Sequence, residues 1–233
     1  MKRYGSKIIF AVIVLVTLSL MVRFGFTVVT IQSAEEAVQE ETFDPAKYVD
    51  GIWSSTLLPA YETSSVNLAD ILSKIKTDPD GNVLKDSLTE VTNEYGIITV
   101  GEANVYMVKG SGTVIAVNTE SSAGTIEVKL DDYDGPIKVL IYVGPRIPSD
   151  ETSVRDAGGY IKFGDFREQT EYGKVSSEIN KRVLSDVIGD SDKSGWVGQT
   201  ITFEGAYSIR TFNLIQIDMT EVNIVPVSIK LGD

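Results

Sequence analysis

Between Thr125 and Val143 apolar and polar residues alternate. Ile126, Val128 and Leu130 alternate with Thr125, Glu127 and Lys129, and Ile137, Val139, Ile141 and Val143 alternate with Lys138, Leu140 and Tyr142. A period of two with one apolar face predicts two half-buried strands, and the connector Asp131-Asp132-Tyr133-Asp134-Gly135 is turn chemistry, so the pair reads as a hairpin. Ahead of it, Asn104 to Thr119 reads as one long strand interrupted by Gly110-Ser111-Gly112. Glycine inside a strand pattern predicts a bulge or bend of the kind that curls a strand around a barrel. Further on, Ile201, Phe203, Gly205, Tyr207 and Ile209 share a strand face, and Ile215, Ile217 and Met219 alternate in the next. Val225 to Leu231 reads as a last strand, which Pro226 assigns to an edge position.

Helical spacing occupies the gaps. Leu68, Ile71, Leu72 and Ile75 recur at i, i+3, i+4 and i+7, with Ser64 or Ser65 as the cap and Asp78-Pro79-Asp80-Gly81 as the stop. Val83, Leu84, Leu88 and Val91 outline a second, weaker helix reaching Tyr95-Gly96. Before these, Phe43, Tyr48, Ile52 and Trp53 read as an aromatic anchor docking this arm on the body, or as an exposed recognition patch. After Gly144-Pro145, a polar loop leads to a short strand Tyr160 to Phe163. A capping box, with Asp165 as cap and Glu168 at the third helical position, then opens a helix on Val175, Ile179, Val183 and Val187. Gly189 closes it.

The resulting order is a bent strand, a hairpin, one helix and then two or three strands. The fold class expected is mainly β (α+β): an OB-like five-stranded Greek-key barrel with one helix between its third and fourth strands. A β-sandwich is the rival. The expected domains are a membrane anchor over 1–33, an acidic linker over 34–42, a helical lead-in packed on the barrel over 43–95, and the barrel itself over 96–233.

The amino terminus changes the picture from fold to place. Lys2, Arg3 and Lys7 precede an apolar run from Ile8 to Val22, Arg23 interrupts it, and a second apolar piece follows from Phe24 to Ile31. Small residues suited to cleavage are poorly spaced near Ser33 to Ala37. The segment therefore reads as an uncleaved signal-anchor: a single pass of the cell membrane, amino end cytoplasmic, with everything after Ile31 extracytoplasmic. A cleaved secretory signal is the alternative. The chain of 233 residues carries 21 basic and 33 acidic residues, a net charge of −12. Four of the basic residues lie before Ala34, so the remainder is more acidic still. Such a surface repels phosphate backbones and argues against nucleic acid as a partner.

Candidate chemistry is narrow. With no cysteine and no histidine, the chain has no disulfide, no thiol nucleophile, no Ser-His-Asp relay and no His/Cys zinc site. No cofactor is expected and no catalytic residue is assigned. Asp131, Asp132 and Asp134 read as a solvated turn. Asp190, Asp192 and Ser194 match the opening of a calcium loop, but the twelfth position is Ile201 in place of a bidentate glutamate, so a helix-to-strand turn is the main expectation. Arg155, Asp156, Asp165 and Gln169 form a polar cluster with two readings, a network pinning the loop to the helix or a pocket for a small polar ligand. A second candidate surface is the outer face of the hairpin, Glu127, Lys129, Lys138, Leu140 and Tyr142, on the side that OB barrels use for binding.

The segments FDPAKYVDGIW, VKGSGTV, VGP, VRDAGGYIKFGDFREQTEYGKVSSEIN and GQTITFEGAY resemble the predicted periplasmic lipoproteins of domain-of-unknown-function family 2291. The resemblance covers nearly the whole chain after the anchor. It implies an OB-like barrel, export, membrane attachment and genes beside sugar importers of the ribose type. It places the family's Arg-Asp pair on Arg155 and Asp156, and its Asp-Phe and Gln on Asp165, Phe166 and Gln169. Two departures stand out: no cysteine for lipid attachment, and Ser149-Asp150-Glu151-Thr152 and Glu168 where the family reads Arg-Gly-Thr and Asn. The function expected is a non-enzymatic, membrane-anchored module accessory to a sugar ABC importer, touching its solute-binding protein or permease. The alternatives are a binding or sensing protein for a small polar ligand, or a hydrolase using carboxylates such as Asp156 and Asp165.

Overall fold

The computed structural model describes residues 5–24, 43–99 and 101–232, and separates into two units, Met1–Phe43 and Asp44–Asp233. In the first, Gly5–Phe24 is one helix, α1, on which Phe10, Leu15 and Met21 are exposed by 67–70%. Among the described residues no helix is long and apolar enough to cross a membrane. The second apolar piece from Gly25 to Ile31 and the acidic linker over 34–42 lie outside the described residues.

The second unit opens with helix α2 (Pro45–Ile52), whose cap Asp44 accepts from the amides of Ala46 and Lys47 and whose first position is proline. This is the chemistry that orphan amide donors at a helix start require. The chain stays helical through a wide turn over Trp53–Leu57 and α3 (Leu58–Ser64). Trp53, Leu57 and Tyr61 are buried, so the aromatic arm packs on the body. Ser64 therefore ends a helix where capping of the next was expected. The cap of α4 (Leu68–Lys74) is Asn67, whose Oδ1 accepts from Ala69 N at 3.0 Å. A two-residue strand β1 (Val66–Asn67) precedes α4. Strand β2 (Asn82–Leu84), helix α5 (Lys85–Tyr95) and strand β3 (Ile97–Ile98) follow it.

Strand β4 (Ala103–Asn118) pairs with β5 (Thr125–Leu130), and β5 with β6 (Lys138–Tyr142), both antiparallel. Strand β9 (Glu221–Leu231) lies parallel to β6 and antiparallel to β7 (Thr200–Arg210), and β7 returns to pair with β4. The circuit of pairings is closed. Strand β4 serves both neighbours because its first part, Ala103 to Thr113, faces β7 and its second, Gly112 to Asn118, faces β5. Gly112 sits at the changeover, where an added Cβ would lie 2.3 Å from Lys129 O. The register irregularity itself falls between Val114 and Ala116, just past the glycines. The alternating residues of the hairpin point inward as their period requires: Ile126, Val128, Leu130, Val139 and Ile141 are all buried.

Four expectations are corrected. Tyr160 to Phe163 is not a strand: only Ile161 of the four is buried, and Phe163–Asp165 is a single tight helical turn. That turn takes Asp165, so helix α7 begins at Gln169 (Gln169–Arg182) with Glu168 as cap; the four-residue turn α6 (Ser153–Asp156) lies in the preceding loop. Pro226 is not at an edge. Strand β9 is flanked on both sides, and proline is accommodated because β6 pairing stops at Ile224 while the β7 register shifts between Glu204 and Gly205, opposite Pro226. The segment around Ile217 forms only β8 (Gln216–Asp218), which pairs with β2 outside the circuit, leaving Ile215 exposed by 80%.

Helix α7 buries Val175 and Ile179 and continues as a wide turn over Val183–Ile188 that buries Val183, ending at Gly189 with φ +60°. The wider turn moves the face by one residue, so Ile188 takes the buried place expected for Val187.

Candidate functional site

The loop between β6 and α7 is fastened at several points. Glu151 O accepts from Ser176 Oγ at 3.0 Å and Asn180 Nδ2 at 2.9 Å, both on α7. Ser153 Oγ donates to Ala206 O on β7 at 3.3 Å, and Tyr61 Oη donates to Val154 O at 3.2 Å. This clamp carries Arg155 and Asp156 into the body. Arg155 Nε and Nη2 donate to Asp156 Oδ1 and Oδ2 at 2.7 and 3.0 Å, and Nη1 donates to Tyr172 O at 3.0 Å. The guanidinium lies 3.5 Å from the Tyr172 ring centroid, and Tyr172 Oη donates to Asp156 Oδ1 at 2.8 Å. Burial, reinforced by the adjacent Asp156, pushes the Tyr172 hydroxyl up to about 12. Charge, fork geometry and ring stacking are all used internally, which is how a buried arginine is stabilised.

The four residues of the expected polar cluster do not converge. Arg155 and Asp156 lie at the base of a groove of about 850 Å³, and Gln169, exposed at the start of α7, stands on its wall. Asp165 is not among the groove's lining residues. Its Oδ2 accepts from Lys162 N at 3.3 Å, and it raises the Tyr48 hydroxyl, which burial raises more. The groove is mainly apolar. Ile97, Ile98, Phe163 and Phe212 line it while remaining 38%, 44%, 54% and 63% exposed. Leu84, Leu214 and Ile215 are exposed too. They join the same end of the molecule, because Lys85 N donates to Ile215 O and Thr211 N to Glu102 O. Exposed apolar patches of this kind are uncommon on folded proteins that stand alone.

Of these apolar residues, Ile97, Ile98, Phe212 and Leu214 were placed in no element by the pattern reading, although two signals pointed to them. Ile97-Ile98 breaks the period of two, and Phe212 and Leu214 crowd a stretch between strands, where turn residues are the rule.

The outer face of the hairpin forms a separate surface. Glu127 pairs across to Leu140 and Lys138 to Glu221; Lys129 and Lys138 are exposed, Leu140 and Tyr142 half-buried. The Asp190, Asp192 and Ser194 loop is occupied by its own lysine. Lys193 Nζ donates to Ser191 O at 2.6 Å and Ser191 Oγ at 2.8 Å, while Asp192 accepts from Ser194 N and Oγ. The oxygens of Ser191 thus face an ammonium, and those of Asp192 an amide and a hydroxyl. Among the described residues no three or more acidic side chains come together in a way that could hold a metal ion.

No curated protein matches the chain. Among solved structures, an OB-fold protein from Thermotoga maritima superposes with a TM-score of 0.59 at 15% sequence identity, covering 82% of this chain and 100% of the other. At that identity the likeness establishes the fold alone. A mixed α/β chain with an OB-fold neighbour agrees with the strand circuit and with the helix placed between β6 and β7. The family described as "Predicted periplasmic lipoprotein (DUF2291)" matches residues 11–230, nearly the whole chain. This chain therefore belongs to the predicted periplasmic lipoproteins of family DUF2291.

Proposed function

We propose that the chain is an extracytoplasmic, non-catalytic binding module held at the membrane by its amino-terminal segment, and that its groove receives a protein component of a solute importer. The strand circuit then works as an OB-type barrel, a rigid mount for the loops at one end. One observation carries the binding reading: Ile97, Ile98, Phe163 and Phe212 stay exposed around a groove of about 850 Å³. The polar groups beneath them, Arg155 and Asp156, are spent on each other and on Tyr172. Apolar walls over a satisfied polar floor suit docking of apolar side chains, with partner hot spots filling the groove. The importer as partner rests on the family resemblance. The anchor rests on Lys2, Arg3 and Lys7 ahead of the apolar run Ile8 to Val22, and on the absence of any cysteine to take a lipid.

Affinity purification of the full chain from its own membranes tests this. The expected result is recovery of an importer's binding protein or permease with the unmodified chain and its loss with Phe212→Asp. Recovery of no importer component, or equal recovery with the variant, overturns it.

The size of the groove supports a second reading, since small-molecule sites span roughly 300–1,000 Å³. Its lining favours a ligand with an apolar body over a sugar. A thermal-shift screen separates the two: a ligand at 100 times its dissociation constant adds about 2.7 kcal/mol, whereas a protein-docking groove responds to no small molecule.

A further inference from the structure

The polar floor of the apolar groove is engaged on its acidic side and has donors left over on its basic side. Asp156 accepts from Arg155 Nε and Nη2 and from Tyr172 Oη, so both of its oxygens are occupied. A guanidinium carries five N–H groups. Arg155 donates three of them, two to Asp156 and one to Tyr172 O. One N–H on each terminal nitrogen therefore meets no acceptor among the described residues. Arg155 is only 6% exposed and lines the groove. Buried donors without acceptors are costly, and an occupant that brings an acceptor relieves that cost.

The charge of the lining is a second, independent observation. Arg155, Lys162 and Arg210 border the groove against Asp156 alone, in a chain with 33 acidic and 21 basic residues. Arg155 is neutralised by Asp156, and Arg210 by Asp150, which does not line the groove. Lys162 is exposed and forms no ion pair among the described residues, so the lining keeps a positive charge. An acceptor that is also an anion fits both observations.

The walls restrict what carries that anion. A free inorganic anion gains nothing from Ile97, Ile98, Phe163 and Phe212, which remain 38–63% exposed. A chain running through the groove would set its own amides against these apolar walls without partners. A chain end brings a carboxylate and an apolar side chain on one residue, and capture of a terminal carboxylate by fixed donors is a recurring mode of peptide recognition. We infer that the groove receives the free carboxyl terminus of the partner protein, a chain end whose last residues are apolar. The carboxylate takes the remaining Arg155 N–H groups and faces Lys162, and the apolar side chains cover the walls. This rests on the docking reading above and names the part of the partner that enters.

Fluorescence polarisation of labelled heptapeptides, with the full chain held in lipid nanodiscs, tests this. The probes end in Leu-Ile-Phe or in Ile-Leu-Leu, each made with a free carboxylate and with a terminal amide, and a glycine–serine heptapeptide with a free carboxylate is the control. The expected result is saturable binding of at least one free acid, about tenfold weaker binding of its amide through loss of the charge-assisted hydrogen bonds, and none of the control. Lys162→Gln, an exposed position, is expected to weaken the acid and leave the amide unchanged, and Phe212→Asp to remove binding of both. Failure of every free acid to saturate, equal binding of acid and amide, equal binding of the control, or undiminished binding of the acid by Lys162→Gln overturns the inference. Recovery of an importer component from membranes reads the docking proposal separately. Equal binding of acid and amide beside intact recovery would remove the carboxylate and leave docking standing.

Discussion

Arg155 and Asp156 are adjacent in sequence and grip each other through two hydrogen bonds of 2.7 and 3.0 Å, with side chains only 7% and 9% exposed. Two neighbours on a helical turn do not ordinarily face one another. Here Tyr172 stacks on one partner and donates to the other, which holds them in place. Removing one member leaves a buried charge without its counterpart, a change that costs about 3–5 kcal/mol. Arg155→Met is therefore expected to lower the urea midpoint strongly, and Arg155→Met with Asp156→Leu to recover most of the loss. A single variant as stable as the parent would show that the pair is solvated.

Gly112 is required by close approach, since a methyl group there would press on Lys129 O and on the Leu130 backbone. Gly112→Ala is expected to destabilise the chain by about 1–3 kcal/mol through overpacking. The urea midpoint reads this directly, and an unchanged midpoint would mean that β4 and β5 can separate there without loss.

Buried tyrosines set the response to alkali. Burial raises Tyr61 and Tyr207 well above 10 and Tyr106 to about 12; the Thr92 hydrogen bond opposes the shift at Tyr106 only partly. Unfolded tyrosines release protons from about pH 10. Above that pH the native state binds more protons than the unfolded state, so stability falls as pH rises. The contribution is fully present below pH ~10 and is lost progressively through pH ~12 and beyond. Tyrosinate absorbance is expected to lag well behind that of free tyrosine and then to rise together with unfolding. Smooth titration of all the tyrosines near pH ~10, before any unfolding, would contradict this.

The part of the fold that could be read from sequence is the part that simple periodicity governs. Ile126, Val128 and Leu130 against Val139 and Ile141 announce a hairpin because a buried face leaves no other register. Val175, Ile179 and Val183 announce a helix for the same reason. The reading failed where tertiary surroundings override local chemistry. Pro226 is tolerated inside a sheet because two partner strands fall out of register around it, a relation between three segments that no single one reveals. Asp165 and Glu168 carry the letters of a capping box, yet Phe163–Asp165 closes a separate turn first. Of the candidate site, Arg155 and Asp156 were identifiable as residues, and a network with Arg155 forked onto a carboxylate was one of the two expected readings; that the carboxylate is the neighbouring Asp156 was not legible. The groove was hidden because Phe163 was assigned to a strand and Phe212 to no element. Their shared surface exists only once β3, β4 and β7 bring the two loops together.

The central claim is that the end of the molecule bearing Phe212 meets an importer protein outside the cytoplasm. A photoreactive phenylalanine at position 212 of the full chain, irradiated in intact cells and followed by mass spectrometry of the cross-linked species, tests it most directly. The account predicts a covalent adduct with a solute-binding protein or permease, absent when the probe sits instead at Lys230 on the final strand. Adducts identical from both positions, or adducts with cytoplasmic proteins, would contradict it.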